Sequence, residues 1–270
     1  MNAIMSRLLP ILLFCLLPSV THGQATTDTL RLEVGSKEVD GRVYLPHAAR
    51  VRVWVGPGEG ELRSEWTNVL TLGDSAGRRV QYWVTTGKQV TPTGDTVNWE
   101  LRQTYDAITL APYSISRTAS NGPTFSIRID GRRVHGTKQS NANAPVEQVD
   151  YLIDRPGFVA SASDLVPAAV GFTAGRVITV PIWGPNMTTS EERVFAMIGK
   201  TDVNVEGTVV NAWKVEERRY ADSKLLATWY LLDKSPYMVY GEVPLPDGSI
   251  RRMTEIEVPM PESRTSNKPR

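Results

Sequence analysis

Alternation with a period of two runs through almost the whole of this 270-residue chain, and segments of helical period are scarce. It is clearest in Val51-Arg52-Val53-Trp54-Val55, in Val97-Asn98-Trp99-Glu100-Leu101-Arg102 and in Phe125-Ser126-Ile127-Arg128-Ile129. Successive strand side chains point to opposite faces, so each such segment hides one face and wets the other. Further runs fall at 80–85, Val177–Trp183, 192–198, 209–216, 225–232, 237–243 and Ile250–Val258. Gly56-Pro57-Gly58, Gly73-Asp74-Ser75, Asp130-Gly131, Glu206-Gly207 and Asp247-Gly248 punctuate them as turns. Many β-runs joined by short turns indicate an all-β fold: a single strongly curved antiparallel sheet, a half-barrel or β-roll, with at most one or two short helical turns. The one helical candidate spans 162–170, where Asp164 is placed to cap a turn and Pro167 limits its length.

Residues 1–23 differ from the rest. Arg7 supplies a positive start, 8–20 is an apolar run broken by Pro10, Pro18 and Ser19, and Thr21-His22-Gly23 offers small residues before Gln24. This is the pattern of a cleaved secretory signal, too short for the ~20 apolar residues of a spanning helix. Cys15 follows Leu12-Leu13-Phe14, which lacks the small residue that bacterial lipidation requires before the cysteine. A secreted or periplasmic location follows, with no transmembrane segment after cleavage. Removal of 1–23 takes away Arg7 and no acid, so 30 basic residues become 29 against 29 acidic, and no cysteine remains. A neutral chain argues against electrostatic capture of nucleic acid. A cysteine-free chain in an oxidising compartment must be held by its core.

The expected organisation is a signal at 1–23, an N-terminal extension and first strand at 24–40, one β domain at 41–258, and a flexible tail at 259–270. The Asn/Ala-rich stretch 138–145 suggests a long loop near 138–148 that divides the domain into two β-rich halves. Each half carries a weak echo of the other: Trp-x-Leu at Trp99 and Trp229, a Pro-Tyr step at Pro112 and Pro236, and an Asp-Gly turn at Asp130 and Asp247.

Most catalytic chemistries lack their residues. His47 and His135 are distant in sequence, with no second imidazole or thiolate nearby, so no metal site or metal cofactor is expected. His135 fits a polar position at a sheet face or rim. No Gly-x-Ser-x-Gly elbow occurs. Ile198-Gly199-Lys200-Thr201 imitates the end of a phosphate loop but is followed by β-branched Val203 and Val205, so it reads as a hairpin turn with Lys200 solvated. The adjacent pairs Glu191-Glu192 and Glu216-Glu217 should project to opposite faces, and Asp233 should fix a turn through its side chain. No catalytic residue and no cofactor are assigned.

Seven tryptophans are the more informative feature: Trp54, Trp66, Trp83, Trp99, Trp183, Trp213 and Trp229. On a curved sheet their rings either fill the concavity or line a cavity. If the concave face is open, Trp83, Trp99, Trp213 and Trp229 form a candidate apolar trough, with Tyr82 and Tyr230, or Tyr240, as polar handles.

Thr104-Tyr105-Asp106-Ala107-Ile108-Thr109-Leu110-Ala111-Pro112, followed by Ile129-Asp130-Gly131-Arg132-Arg133-Val134-His135-Gly136, resembles the DUF3108-like families of exported bacterial proteins. The likeness extends loosely over about 60–258, through Pro156-Gly157-Phe158, Ala212-Trp213-Lys214-Val215-Glu216 and Ala227-Thr228-Trp229-Tyr230-Leu231-Leu232-Asp233. It implies a strongly curved sheet similar to the half-barrels of the LolA/LolB lipoprotein carriers, and no catalytic residues. The function this suggests is a non-catalytic envelope protein that binds a lipid or other hydrophobic ligand on its concave face. A structural module with a filled core, engaging an envelope protein, is the alternative; a hydrolase or sugar-active enzyme would need His135 or a carboxylate pair converging in a cleft.

Overall fold

A computed structural model describes residues 29–57, 60–91 and 94–261. The export signal, Cys15 and the tail beyond 261 lie outside the described residues. Two antiparallel meanders make up the chain. The first runs through β2 (His47–Gly56), β3 (Glu61–Ser75), β4 (Arg78–Val90), β5 (Thr96–Asp106), β6 (Pro112–Ala119), β7 (Thr124–Asp130), β8 (Arg133–Gln139) and β9 (Glu147–Leu152). The second runs through β11 (Val177–Trp183), β12 (Glu191–Val205), β13 (Thr208–Arg219), β14 (Leu225–Leu231), β15 (Met238–Pro244) and β16 (Ile250–Val258). The last strand pairs with the first of the other meander, from Ile250 opposite Gly56 to Val258 opposite Ala48, which fuses both into one 16-stranded sheet. β1 (Thr29–Arg31) and β10 (Phe158–Val159) both pair in parallel with β11, beside its two ends.

The sheet is open and curled. Register shifts at Val53/Trp54, Thr104/Tyr105, Met197/Gly199, Glu217/Arg218 and Tyr230/Leu231 bend individual strands, as β-bulges do. The curl carries the β9 edge toward the loop after β11, where the Tyr151 hydroxyl donates to the Pro185 carbonyl at 3.4 Å. Two-residue turns need positive φ at both central positions. Glu206 and Gly207, at φ 47° and 88°, supply this between β12 and β13.

Burial follows the alternation. Val51, Leu70, Ile115, Ile127, Phe195, Val215 and Leu231 form the core on the concave face. Trp183 ends β11, which is apolar but for Thr179, and is fully buried. A smaller cluster of Val205, Ala212 and Val239, with Tyr230 and Tyr240 against it, sits apart from this core. The connection 153–176 carries β10, a 3-10 turn at Ala160–Ala162 and α1 (Leu165–Val170). It covers part of the concavity: Gln103 Nε2 donates to Ser161 Oγ at 2.8 Å, and the Tyr44 hydroxyl bonds the Leu165 carbonyl.

Three sequence expectations change. The long loop at 138–148 contracts, because Lys138 and Gln139 belong to β8 while Glu147 and Gln148 belong to β9. Gln139 Nε2 donates to the carbonyls of Ala142 and Ala144, which ties the short connection down. The halves divide instead at 153–176. Gly73-Asp74-Ser75 lies within β3, and the turn falls one step later on Ala76-Gly77, at φ 49° and 76°. Ile198-Gly199-Lys200-Thr201 is a bulge inside β12, where Gly199 takes φ 145°, rather than a hairpin turn.

Candidate functional site

A half-enclosed cavity of about 260 Å³ opens on the concave face where the two meanders meet. β3, β4 and β5 supply Trp66, Trp83 and Trp99, and β14 supplies Trp229. Their strand positions dictate this. Trp66 and Trp99 flank Gly87 in the paired register, and Trp229 lies opposite Gly241. A Cβ on Gly87 would lie 2.4 Å from Trp66 Cβ, and one on Gly241 would lie 2.9 Å from the Trp229 ring. Glycine inside a strand weakens it but permits a close approach. Here it gives two indoles room on the sheet face, and the Trp66 and Trp99 rings meet edge-on at 5.7 Å.

Tyr44, Tyr237, Leu101, Met238 and Met253 complete the apolar wall. Tyr44 packs edge-on against both Tyr237 (4.9 Å) and Trp83 (5.9 Å), and burial holds its hydroxyl well above the ordinary range. The neutral polar groups largely satisfy one another. Thr85 Oγ1 donates to Asn68 Oδ1 at 2.9 Å, Asn68 Nδ2 donates to Glu255 Oε1 at 3.2 Å, and Trp83 Nε1 donates to Gln81 Oε1 at 3.1 Å. Trp99 Nε1 is buried without a hydrogen-bond partner.

Two carboxyls face this cavity, Asp164 from the covering segment and Glu255 from β16. Burial pushes Glu255 up to about 8, against the pull of the Asn68 hydrogen bond. Burial likewise raises Asp164 to about 7. Each carboxyl also raises or is raised by a neighbouring acid, Glu255 by Asp164 and Asp164 by Glu217. Asp164 occupies the position before α1, but its side chain makes no capping bond, contrary to the sequence expectation.

Of the candidate trough residues, the fold brings Trp83, Trp99 and Trp229 to the cavity and leaves Trp213, Tyr82 and Tyr230 outside its lining. Tyr82 and Tyr230 directly adjoin Trp83 and Trp229 in regular strands, so the pleat turns them to the opposite face. Tyr82 covers Gly73 there, and Tyr230 packs on Tyr240 at 5.5 Å. Trp213 stacks on Phe172 at 5.5 Å and donates Nε1 to Asp233 Oδ1 at 2.7 Å. Asp233 therefore bridges Trp213 and Lys200 (2.5 Å) instead of closing its own turn, and Lys200 is exposed, as expected, while also ion-paired.

Trp66, Asp164 and Glu255 enter the site from outside the sequence-derived set. Trp66 lies seven residues before the turn expected at Gly73, in a stretch where the sequence shows no alternating run. Nothing in the order of the chain places Glu255 beside Asn68, 187 residues away.

Glu217 is a further buried acid, 2 % exposed. It accepts from Arg193 Nη1 at 2.5 Å and from Trp229 Nε1 at 2.9 Å, so this charge is neutralised within the fold. Glu216, on the other face, pairs with Arg218, which matches the expected opposite projection. His47 is buried at the cavity edge, its Nδ1 within 2.8 Å of both the Leu45 carbonyl and Ser235 Oγ. Burial lowers its pKa. A catalytic relay needs the serine on one ring nitrogen and an orienting acid on the other; here both partners meet the same nitrogen. His135 pairs with Asp130 at 2.8 Å at an outer, part-exposed position, away from the cavity.

Fold and cavity together define an all-β protein, one open curled sheet with an aromatic-walled pocket. No protein-family model matches the chain, and no curated protein matches it. Among solved structures it is similar to the crystal structure of a beta-barrel-like protein of domain of unknown function DUF1849 from Brucella abortus, at 9% identity and a TM-score of 0.48, over 81% of this chain and 98% of that one.

Proposed function

We propose that this chain is an exported, non-catalytic binding protein that holds the apolar part of a small hydrophobic or amphiphilic molecule in the concave-face cavity. The observation that carries the reading is the cavity itself: an opening of about 260 Å³ between four indoles and two phenols, bordered by the buried core. Small-molecule pockets are concave, mostly apolar, and carry a few convergent polar groups. At a volume just below the ~300 Å³ where such pockets usually begin, it suits a compact ligand or the tip of an acyl chain, not a whole diacyl lipid. Residues 1–23 support export, and the resemblance to exported half-barrel carriers points the same way.

Native mass spectrometry of protein purified from its own host tests the proposal, together with tryptophan fluorescence during titration with short amphiphiles. A retained small molecule, or a saturable spectral change that Trp99→Ala abolishes, supports it. An empty protein whose emission no amphiphile alters would leave a structural module with a packed core as the better reading.

A further inference from the structure

We propose that the molecule taken by this cavity is an organic cation: a quaternary ammonium or protonated amine carried on a small apolar body. The proposal rests on the pocket reading above and names its ligand class. Two features of the wall converge on it. The first is aromatic: Trp66, Trp83, Trp99 and Trp229 surround the space, and the negative face of an indole attracts a cation within about 6 Å. The second is the charge left over after internal pairing. Thr85, Asn68, Gln103 and Ser161 bond to one another or to neighbouring groups. Glu217 on the same concave face has Arg193. Asp164 and Glu255 have no ion-pair partner among the described residues, although Glu255 is only 7 % exposed.

An unpaired buried carboxylate is costly, so such a group holds its proton unless a cation comes to meet it. The competing ligands fit less well. A fatty-acid carboxylate would be set against two acids. A sugar needs several free neutral donors and acceptors, which are engaged here.

Burial favours the protonated carboxyls in the empty pocket. Cation binding therefore releases protons, and affinity rises with pH between about 6 and 9. The titratable groups facing the two acids are His47 on β2, Tyr44 before it, Tyr105 on β5, Tyr237 before β15, and the Arg193–Glu217 pair of β12 and β13. Of these, His47 is shifted by burial toward its neutral form, below the ordinary 6.5, and burial raises the three tyrosines above their ordinary range, so they stay protonated there.

The test compares hexyltrimethylammonium, hexanol, hexanoate and glucose by calorimetry and tryptophan fluorescence on the purified chain at pH 6 and pH 8.5, with Glu255→Gln and Asp164→Asn. The expected result is saturable binding of the ammonium, about tenfold tighter than hexanol, stronger at pH 8.5, and weakened about tenfold in each variant. Near-ultraviolet circular dichroism checks that the variants are folded, and the pH dependence of the unsubstituted chain is a readout that needs no variant. Equal binding of hexanol or hexanoate, glucose binding without ammonium binding, or ammonium binding indifferent to both variants and to pH would overturn the cation assignment while leaving a ligand pocket. Silence toward all four probes would overturn the assignment and the pocket reading together.

Discussion

Replacing Glu255 by Gln should stabilise the fold at alkaline pH and remove much of its loss of stability with rising pH. In the folded chain burial raises this carboxyl to about 8, against 4.5 for an ordinary glutamate. Between those values the folded protein keeps a proton that the unfolded chain has released, so the folded state binds more protons and stability falls as pH rises. The contribution is fully present below about 4.5 and gone above about 8. At ~1.36 kcal/mol per pH unit the gap corresponds to roughly 5 kcal/mol, and water entering the half-open cavity reduces it to roughly 3–5 kcal/mol. That is a large part of the 5–15 kcal/mol typical of a folded chain.

Glutamine keeps the shape and an oxygen that can accept from Asn68 Nδ2. Urea denaturation followed by tryptophan emission at pH 5, 7 and 9 measures the effect. The two proteins should be similar at pH 5, and the variant should be more stable by a few kcal/mol at pH 9. The difference between them cancels the titrations of groups that do not interact with Glu255. Asp164, raised to about 7, adds a slope of the same sign in both proteins. His47, lowered from 6.5, acts oppositely, because a histidine kept neutral by the fold costs stability only as pH falls below 6.5. A stability difference that is the same at pH 5 and pH 9 would refute the assignment of a buried, unpaired Glu255.

Gly87→Ala places a methyl 2.4 Å from Trp66 Cβ and 2.7 Å from the Glu65 carbonyl, so it should cost about 1–3 kcal/mol in urea denaturation and shift the tryptophan emission. Trp183→Ala should cost about 3–5 kcal/mol because that ring is fully buried. Trp99→Ala should cost clearly less, since its ring borders an existing cavity, and equal losses would count against an open pocket. Arg193→Ala strands the Glu217 charge and should cost about 3–5 kcal/mol; adding Glu217→Gln should recover part of it in the same assay.

The strands that could be read from the chain are those in which apolar residues do the alternating. β11, with Val177, Ile178, Val180 and Ile182, and β16 coincide with their sequence-derived bounds. β9 and the far end of β8 escaped, although His135 reads as a position on a strand leaving the Asp130-Gly131 turn, because cross-strand ion pairs, Arg133 with Asp150 and Lys138 with Glu147, stand where an apolar pattern would mark the strand. β3 escaped for a different reason. Its concave face includes Trp66 and Asn68, a partly polar wall of a cavity, so its alternation is weak at the place where the site lies. The repeated Trp-x-Leu and Pro-Tyr steps correspond to the β5–β6 and β14–β15 hairpins, each with a register shift, and each contributes one indole to the cavity.

The pocket is a property of the seam between the meanders, and that location explains which of its parts were legible. Trp83, Trp99 and Trp229 declare themselves locally, as large aromatics inside strands that the alternation marks. The pleat alone excludes Tyr82 and Tyr230 once their neighbours point inward. Glu255 and Asn68 meet only because β16 returns to lie against β2, which in turn carries β3, and Asp164 arrives only because the connection 153–176 folds back over the concavity. Local pattern thus reveals the aromatic walls, whereas the charges depend on long-range pairing. The two acids that give the cavity its chemical character come from segments that look, in isolation, like an ordinary strand and a helix cap. A double-mutant cycle of Asp164→Asn with Glu255→Gln should therefore show a coupling beyond additivity in alkaline stability, since the Asp164 carboxyl raises the cost of ionising Glu255 across the seam. Strictly additive effects would mean that the two groups do not share one cavity.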